Sequence, residues 1–265
     1  MISKMFLKYF LLLLYLSYFT ILLVSCGPLT SKHLKPKKVS HQVHQVLITG
    51  FYDWKNLGDP PEVRRCHDNP SCRILANEGV NPASYQGPLA LELQAWIQSI
   101  PNVQIEFKIL PVTWDSINQL NLNQYDQVIH LGLGVYDNFH QIFIEEGAYN
   151  LHKGKDATGN TREVIIESSQ ASILKAPLKV QRKIDHILKS ELPSPFQLVK
   201  MKARADNSYL CNATHYNSLK HITPTSRLQE AYFIHIPHRQ GNSDQALSEA
   251  LAKMIKMLIS DHLIK

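Results

Sequence analysis

A single α/β domain, built on a mostly parallel twisted sheet with helices on both faces, is the fold that this sequence predicts for residues 45–265. Three observations carry that expectation. Short apolar runs rich in β-branched residues alternate with amphipathic stretches at helical spacing. There is no internal repeat or low-complexity tract. The 265 residues, once an apolar leading segment is set aside, fit one such domain better than two. Strands separated by helices imply a sheet covered on both sides.

Taken in order, "QVLITGF" (45–51) reads as a buried strand closed at Gly50, followed by an irregular stretch to about residue 85 that holds several prolines and a cysteine pair. "PLALELQAWIQSI" (88–100) places Leu89, Leu93, Trp96 and Ile97 at helical spacing, and "VQIEFKIL" (103–110) alternates like a strand. "DQVIHLGLG" (126–134) is a buried strand, and "EVIIES" (163–168) reads as a strand. "APLKVQRKIDHILKSE" (176–191) is a helix opened by Pro177, then "FQLVKM" (196–201) and "EAYFIHIP" (230–237) are strands, the second stopped by Pro237. "SDQALSEALAKMIKMLISDHLIK" (243–265) is an amphipathic helix capped by Ser243.

Composition removes some classes of function. The net charge of +6 is mild, and no aromatic residues are interleaved with Arg or Lys runs, which argues against a nucleic-acid binder. The 13 histidines are scattered, with no HExxH or paired CxxC motif, so no metal site is expected.

The N-terminus has the layout of a signal peptide: Lys4 and Lys8, a long apolar run, then a small residue before a cysteine. A retained transmembrane anchor is the alternative for a run of this length. The ending "LVSC" (23–26) resembles the lipobox of bacterial lipoproteins, which implies cleavage after residue 25 and lipidation of Cys26. Gly27, rather than Asp, suits the outer membrane under lipoprotein sorting. Residues 26–44 then read as a polar, basic tether. Export favours pairing of thiols, and Cys66 and Cys72 lie close together in "CHDNPSC", so a local disulfide is the plain reading; a metal site using Cys66, His67 and Cys72 is the alternative but lacks a nearby fourth ligand. Cys211 is the cysteine left over.

Cys211 opens "NATHYNSLKH", a helix-compatible segment. A cysteine in the first turn of a helix has its thiolate favoured by the free backbone N–H groups and the helix dipole. His235 lies on an apolar strand near its end, a place where a polar ring is either a satisfied core residue or the base of a nucleophile. Glu145, in "IFIEEGAYN", is a candidate orienting carboxylate, with Glu146 beside it.

The order of "VLITGFYDW", "NPAS", "VIHLGLG", "EEGAYN", "NSYLCN" and "YFIHIP" resembles pyroglutamyl peptidase I, a family of cysteine peptidases with a Cys, His and Glu triad that removes an N-terminal pyroglutamyl residue. The resemblance runs from about residue 45 to the C-terminus and implies the family's α/β fold. It makes Cys211 the nucleophile, His235 the general base and acid, and Glu145 the residue orienting the imidazole. In the family a Gly-Phe-x-Pro-Phe-Gly segment supplies aromatic faces for the lactam and an Asn-Pro-Ser segment supplies polar contacts. Here Gly50 and Phe51 match, Asp53 replaces the proline, Trp54 stands for the second Phe, and Asn81 with Pro82 is taken as the Asn-Pro pair. The loop at 55–80 is inserted between them. The family's Gly-Gly-Arg run becomes "GLGVYDNFHQ", and its Asp-Ala-Arg segment becomes "KGKDA", leaving Lys155 as the approximate counterpart of an Arg near the oxyanion.

The sequence therefore predicts a lipid-anchored cysteine peptidase acting on pyroglutamyl or similarly blocked peptides at a bacterial envelope, on the outer membrane facing the periplasm under the sorting argument, with no metal or organic cofactor. Two alternatives stand beside it: a peptidase or amidase of the same fold with another specificity, and a catalytically silent envelope lipoprotein that binds peptide or cell-wall fragments.

Overall fold

Ten strands and five helices organise the computed structural model, which describes residues 43–54, 65–78, 84–134, 137–238 and 242–260. The proposed signal peptide, Cys26, most of the tether, Asn81 and residues 55–64 lie outside the described residues.

The strands are β1 (His44–Phe51), β2 (Val103–Leu110), β3 (Gln127–Leu133), β4 (Gln141–Glu145), β5 (Gly147–Tyr149), β6 (His152–Lys155), β7 (Thr161–Val164), β8 (Ile173–Lys175), β9 (Gln197–Met201) and β10 (Glu230–Ile236). The helices are α1 (Pro70–Ala76), α2 (Pro88–Ile97), α3 (Leu178–Ile187), α4 (Leu210–Lys220) and α5 (Asp244–Ser260). The main sheet has six strands in the order β2-β1-β3-β10-β4-β9. Four of them, β2, β1, β3 and β10, run parallel, whereas β4 is antiparallel to β10 and carries β9 parallel to itself. The α/β class and the mostly parallel sheet are as the sequence predicts; the reversed β4–β9 edge is not legible from periodicity.

Strand residues alternate between two faces. Val46 and Ile48 of β1 join Ile74, Leu89, Leu93, Leu251 and Ile255 in the principal core under α1, α2 and α5, while Leu47 faces the other side with Ile117, Leu122 and Val128. Each such Leu or Ile taken fully out of water contributes on the order of 2 kcal/mol. The N-terminus of α5 is capped as its sequence predicts, by Ser243 accepting from the Ala246 N–H at 3.1 Å.

Two expectations are corrected. The segment "EVIIES" is a strand only over Thr161–Val164, and it pairs with β6 in a hairpin outside the main sheet, where Val164 and Ile165 are exposed. Strand periodicity alone does not tell a sheet strand from a hairpin strand, and here no layer covers its apolar residues. The stretch before residue 85 is also not wholly irregular. It contains α1, whose Ile74 and Leu75 are buried in the core. Proline at the first helical position and Asn69 as N-cap, accepting from the Ser71 N–H at 3.1 Å, start this helix. A Cβ on Gly50 would overlap the Ser71 carbonyl, so glycine is what lets α1 close onto β1.

Segment 65–78 is fastened by side chains. Cys66 and Cys72 form a disulfide, the pairing expected over the metal alternative. The carboxylate of Asp53 accepts the N–H groups of His67, Asp68 and Asn69 at 2.8–3.0 Å. Buried Arg73 makes a two-pronged pair with Asp244 at the start of α5, at 2.9 and 2.8 Å, and also donates to the His67 carbonyl. No helix among the described residues is long and apolar enough to cross a membrane.

Candidate active site

The carboxyl ends of the parallel strands and the N-terminus of α4 meet at a cleft of about 280 Å³. Phe51 and Leu133 reach it from the ends of β1 and β3, Val112 from beyond β2, and Tyr209, Leu210 and Cys211 from the first turn of α4. Trp54 and Asn69 close one side. Trp54 packs against Tyr209 at 5.9 Å between ring centroids, and Tyr209 against Trp114 at 5.8 Å, giving one wall a continuous aromatic surface. The Tyr209 hydroxyl donates to the Lys155 carbonyl, which fixes the ring.

Cys211 is the second residue of α4, the half-buried free cysteine among the described residues. The first intrahelical bond is made by the Ala213 N–H to the Tyr209 carbonyl, so the N–H groups of Leu210 and Cys211 lie ahead of the ladder and can face a ligand. The register of the sheet brings His235 to this point. His235 pairs with Gly132 of β3 on one side and Phe143 of β4 on the other. A Cβ on Gly132 would press on the Phe233 ring at 2.6 Å and lie 3.1 Å from Cys211 Sγ, so the close approach of sulfur to the sheet depends on glycine there.

His235 is 2% exposed, with its Nε2 2.5 Å from Glu145 Oε1, and it interacts with Cys211 as well. Burial by itself lowers the affinity of the ring for a proton, but the interactions with Cys211 and Glu145 outweigh it, raising the pKa to about 10. Burial likewise opposes the charge on Glu145; the bonds from His215 and His235 overcome this and hold its pKa down at about 2. The arrangement is therefore a buried carboxylate, an imidazolium and a sulfur in a row. Of the two neighbouring glutamates, Glu145 is the one that faces His235, while Glu146 turns outward, 3.7 Å from Lys200 Nζ.

The "EEGAYN" segment is locked against α4. The side-chain amide of Asn212, next to Cys211, accepts from the Tyr149 N–H at 2.6 Å and donates to the Tyr149 carbonyl at 2.8 Å, and Asn150 exchanges bonds with the Glu167 backbone. Glu145 thus leaves β4 with its position set by both the sheet and α4.

Of the sequence-predicted residues, Cys211, His235 and Glu145 come together, and Phe51 and Trp54 line the cleft beside Cys211. Lys155 does not join the described lining; it is exposed on the β6–β7 hairpin with its Cε 3.6 Å from a Cβ position on Gly159. Asn81 lies outside the described residues. Two residues were missed. Asn69 lines the cleft, and the literal tripeptide Asn69-Pro70-Ser71 was the signal that could have found it in place of Asn81. His215 donates from Nδ1 to Glu145 Oε2 at 2.7 Å; its position one helical turn after Cys211 was the available clue.

A sequence model of the pyroglutamyl peptidases, the C15 peptidase family, matches residues 75–251, more than half of the chain. The chain belongs to the pyroglutamyl peptidase family. It is therefore a cysteine-type omega peptidase, a hydrolase that removes N-terminal pyroglutamate. Among solved structures, it is similar to the pyrrolidone carboxyl peptidase of Fervidobacterium islandicum AW-1 at 20% identity and a TM-score of 0.54, over 83% of this chain and 99% of the other. It resembles that of Thermococcus litoralis at 18% identity and 0.56, over 84% and 96%. The Thermus thermophilus protein matches at 18% identity and 0.52, over 80% and 97%. At such identities these likenesses establish the fold. No curated protein matches the chain by sequence.

Proposed function

We propose that this pyroglutamyl peptidase works through Cys211 as nucleophile, His235 as general base and acid, and Glu145 as the carboxylate that orients His235, at the surface of a bacterial envelope membrane. One observation supports the assignment above the others: His235 is hydrogen-bonded to Glu145 and interacts with Cys211 at the mouth of an apolar cleft. The Cys211 thiolate attacks the carbonyl that joins the pyroglutamyl residue to the peptide. The oxyanion that forms faces the N–H groups at the start of α4. His235 gives its proton to the leaving amine, and the acyl group stays on sulfur as a thioester. His235 then takes a proton from water, the hydroxide attacks the thioester, and pyroglutamic acid leaves as the thiolate returns. Phe51 and Trp54 present aromatic faces to the flat lactam, and Asn69 offers the polar side chain of the described lining.

The test is release of a fluorescent amine from a pyroglutamyl amide by residues 45–265 within the full chain and by its Cys211→Ala variant. Loss of release in the variant is expected, and equal rates would overturn the assignment. The same substrate panel, extended to other blocked and free aminoacyl amides, addresses specificity. The envelope location rests on "LVSC" at the end of an apolar run. Cys26→Ser is expected to move the protein from the membrane fraction to the soluble fraction of expressing bacteria; unchanged partitioning would remove the lipid anchor at Cys26.

A further inference from the structure

We propose that His215 is a positioning residue of this active site, holding one oxygen of Glu145 so that the other is turned onto His235. The inference deepens the triad assignment above and rests on it. His215 lies four residues after Cys211, on the same face of α4, and is 0% exposed. Its Nδ1 is 2.7 Å from Glu145 Oε2, while His235 Nε2 is 2.5 Å from Oε1. A carboxylate held by one oxygen can rotate about its terminal torsion, which has a broad energy well. Held by both, from a helix on one side and a strand on the other, it has one orientation.

The neighbours leave this task to His215. Asn207 approaches Oε1 only at 3.5 Å. His130, another ring packed on Phe233, is committed to Thr49 at 2.7 Å and Ser218 at 2.8 Å. Phe233 packs against His215 and His235 at centroid distances of 6.2 and 4.9 Å, which limits how far either ring can swing. The second nitrogen of His215, Nε2, is buried with no hydrogen-bond partner among the described residues. A ring kept in such a place loses the hydration of one nitrogen, and the one bond it makes goes to Glu145.

Three variants, His215→Phe, His215→Asn and His215→Gln, test the proposal in the full chain. The amide nitrogen of Asn corresponds to Nδ1, and that of Gln to Nε2. The readouts are kcat and KM on a pyroglutamyl amide, and the rate at which iodoacetamide alkylates Cys211 between pH 6 and 9. His215→Phe is expected to lower kcat about tenfold at unchanged KM. It should slow alkylation about tenfold at pH 6, where the thiolate needs the oriented imidazolium, with the difference closing by pH 9, where an ordinary thiol ionises unaided. His215→Asn should stay within about threefold of the parent. Parent rates in a folded His215→Phe protein, or equal losses in His215→Phe and His215→Asn, overturn the proposal. Should His215→Phe not fold, Asn and Gln decide: Gln must lose rate where Asn keeps it, and equal rates overturn the proposal. If no pyroglutamyl amide is cleaved, the alkylation arm still reports on the sulfur–imidazole pair, so failure of the substrate assignment is told apart from failure of this inference.

Discussion

The reacting edge and the segment at 65–78 border the same cleft but are held in place by different physics. Cys211, His235 and Glu145 sit on α4, β10 and β4, and their relative positions follow from strand register and from one helix docked by Asn212. Segment 65–78 reaches the cleft through Asn69 and is held by a disulfide, by three N–H groups on Asp53 and by the Arg73–Asp244 pair. Strand register, with the Asn212 bonds to Tyr149, sets the relative positions of Cys211, His235 and Glu145, whereas a disulfide and side-chain bonds hold the Asn69 side of the cleft. Asp53, which stands where the family has a proline, is itself the acceptor of three of those bonds.

The sharpest way to break this contrast is at the reacting edge. Glu145→Gln should lower kcat about a thousandfold while KM changes little, because the amide keeps its shape but loses the charge that favours the imidazolium. A loss confined to KM in steady-state kinetics would contradict the assigned role. On the other side, Arg73→Met should destabilise the fold by about 2–3 kcal/mol in urea unfolding, since the pair is buried at Arg73 but partly open at Asp244. Its KM should rise more than its kcat falls. Unchanged stability would show that the pair does not anchor the segment. Replacing both Cys66 and Cys72 by Ser should cost about 2 kcal/mol, the scale of closing so short a loop, and should raise KM with kcat retained. A fall in kcat instead would mean that the segment positions the reacting groups.

Further effects are in pH. His130 accepts from the Thr49 hydroxyl and donates to Ser218, whose own hydroxyl is given to the Thr214 carbonyl, so the buried ring is held neutral. Burial, with the nearby charge of His215, lowers its pKa from 6.5 to about 3, against a raising influence from Glu145. Between those values the unfolded chain binds more protons, so stability falls as pH drops below about 6.5. Glu145 adds a loss in the same direction: its contribution is present above 4.5 and disappears as pH falls through about 2. His235 acts oppositely, its contribution being full below 6.5 and lost as pH rises through about 10. Melting temperature should therefore peak near neutrality, and His130→Asn should flatten the slope between pH 6.5 and 3. An equally steep slope in that variant would assign the acid loss to other groups.

Much of the framework was legible because it is local. Alternation and apolar runs mark β1, β2, β3, β9 and β10 within a residue or two, and helical spacing marks α2, α3 and α5. The strand β4, one in from the sheet edge, escaped, since its five residues carry no distinctive pattern and its direction is set by β10. The α1 helix escaped because a dense group of turn-forming residues precedes it and the helix is short. At the site, residue type and motif singled out Cys211 and His235, while Asn69 was overlooked in favour of a second Asn-Pro pair further along.

The sequence by itself determined the class of fold, the residues able to react, and the family whose chemistry they carry, because periodicity, residue type and motif order are properties of neighbours along the chain. Only the tertiary structure decided that Glu145 rather than Glu146 faces His235, that His215 takes the second carboxylate oxygen, and that Asn69 rather than Lys155 borders the cleft. Those choices depend on bonds between residues 90 and 70 positions apart, and which way a side chain points at such a separation is set by the packing of the sheet against α4.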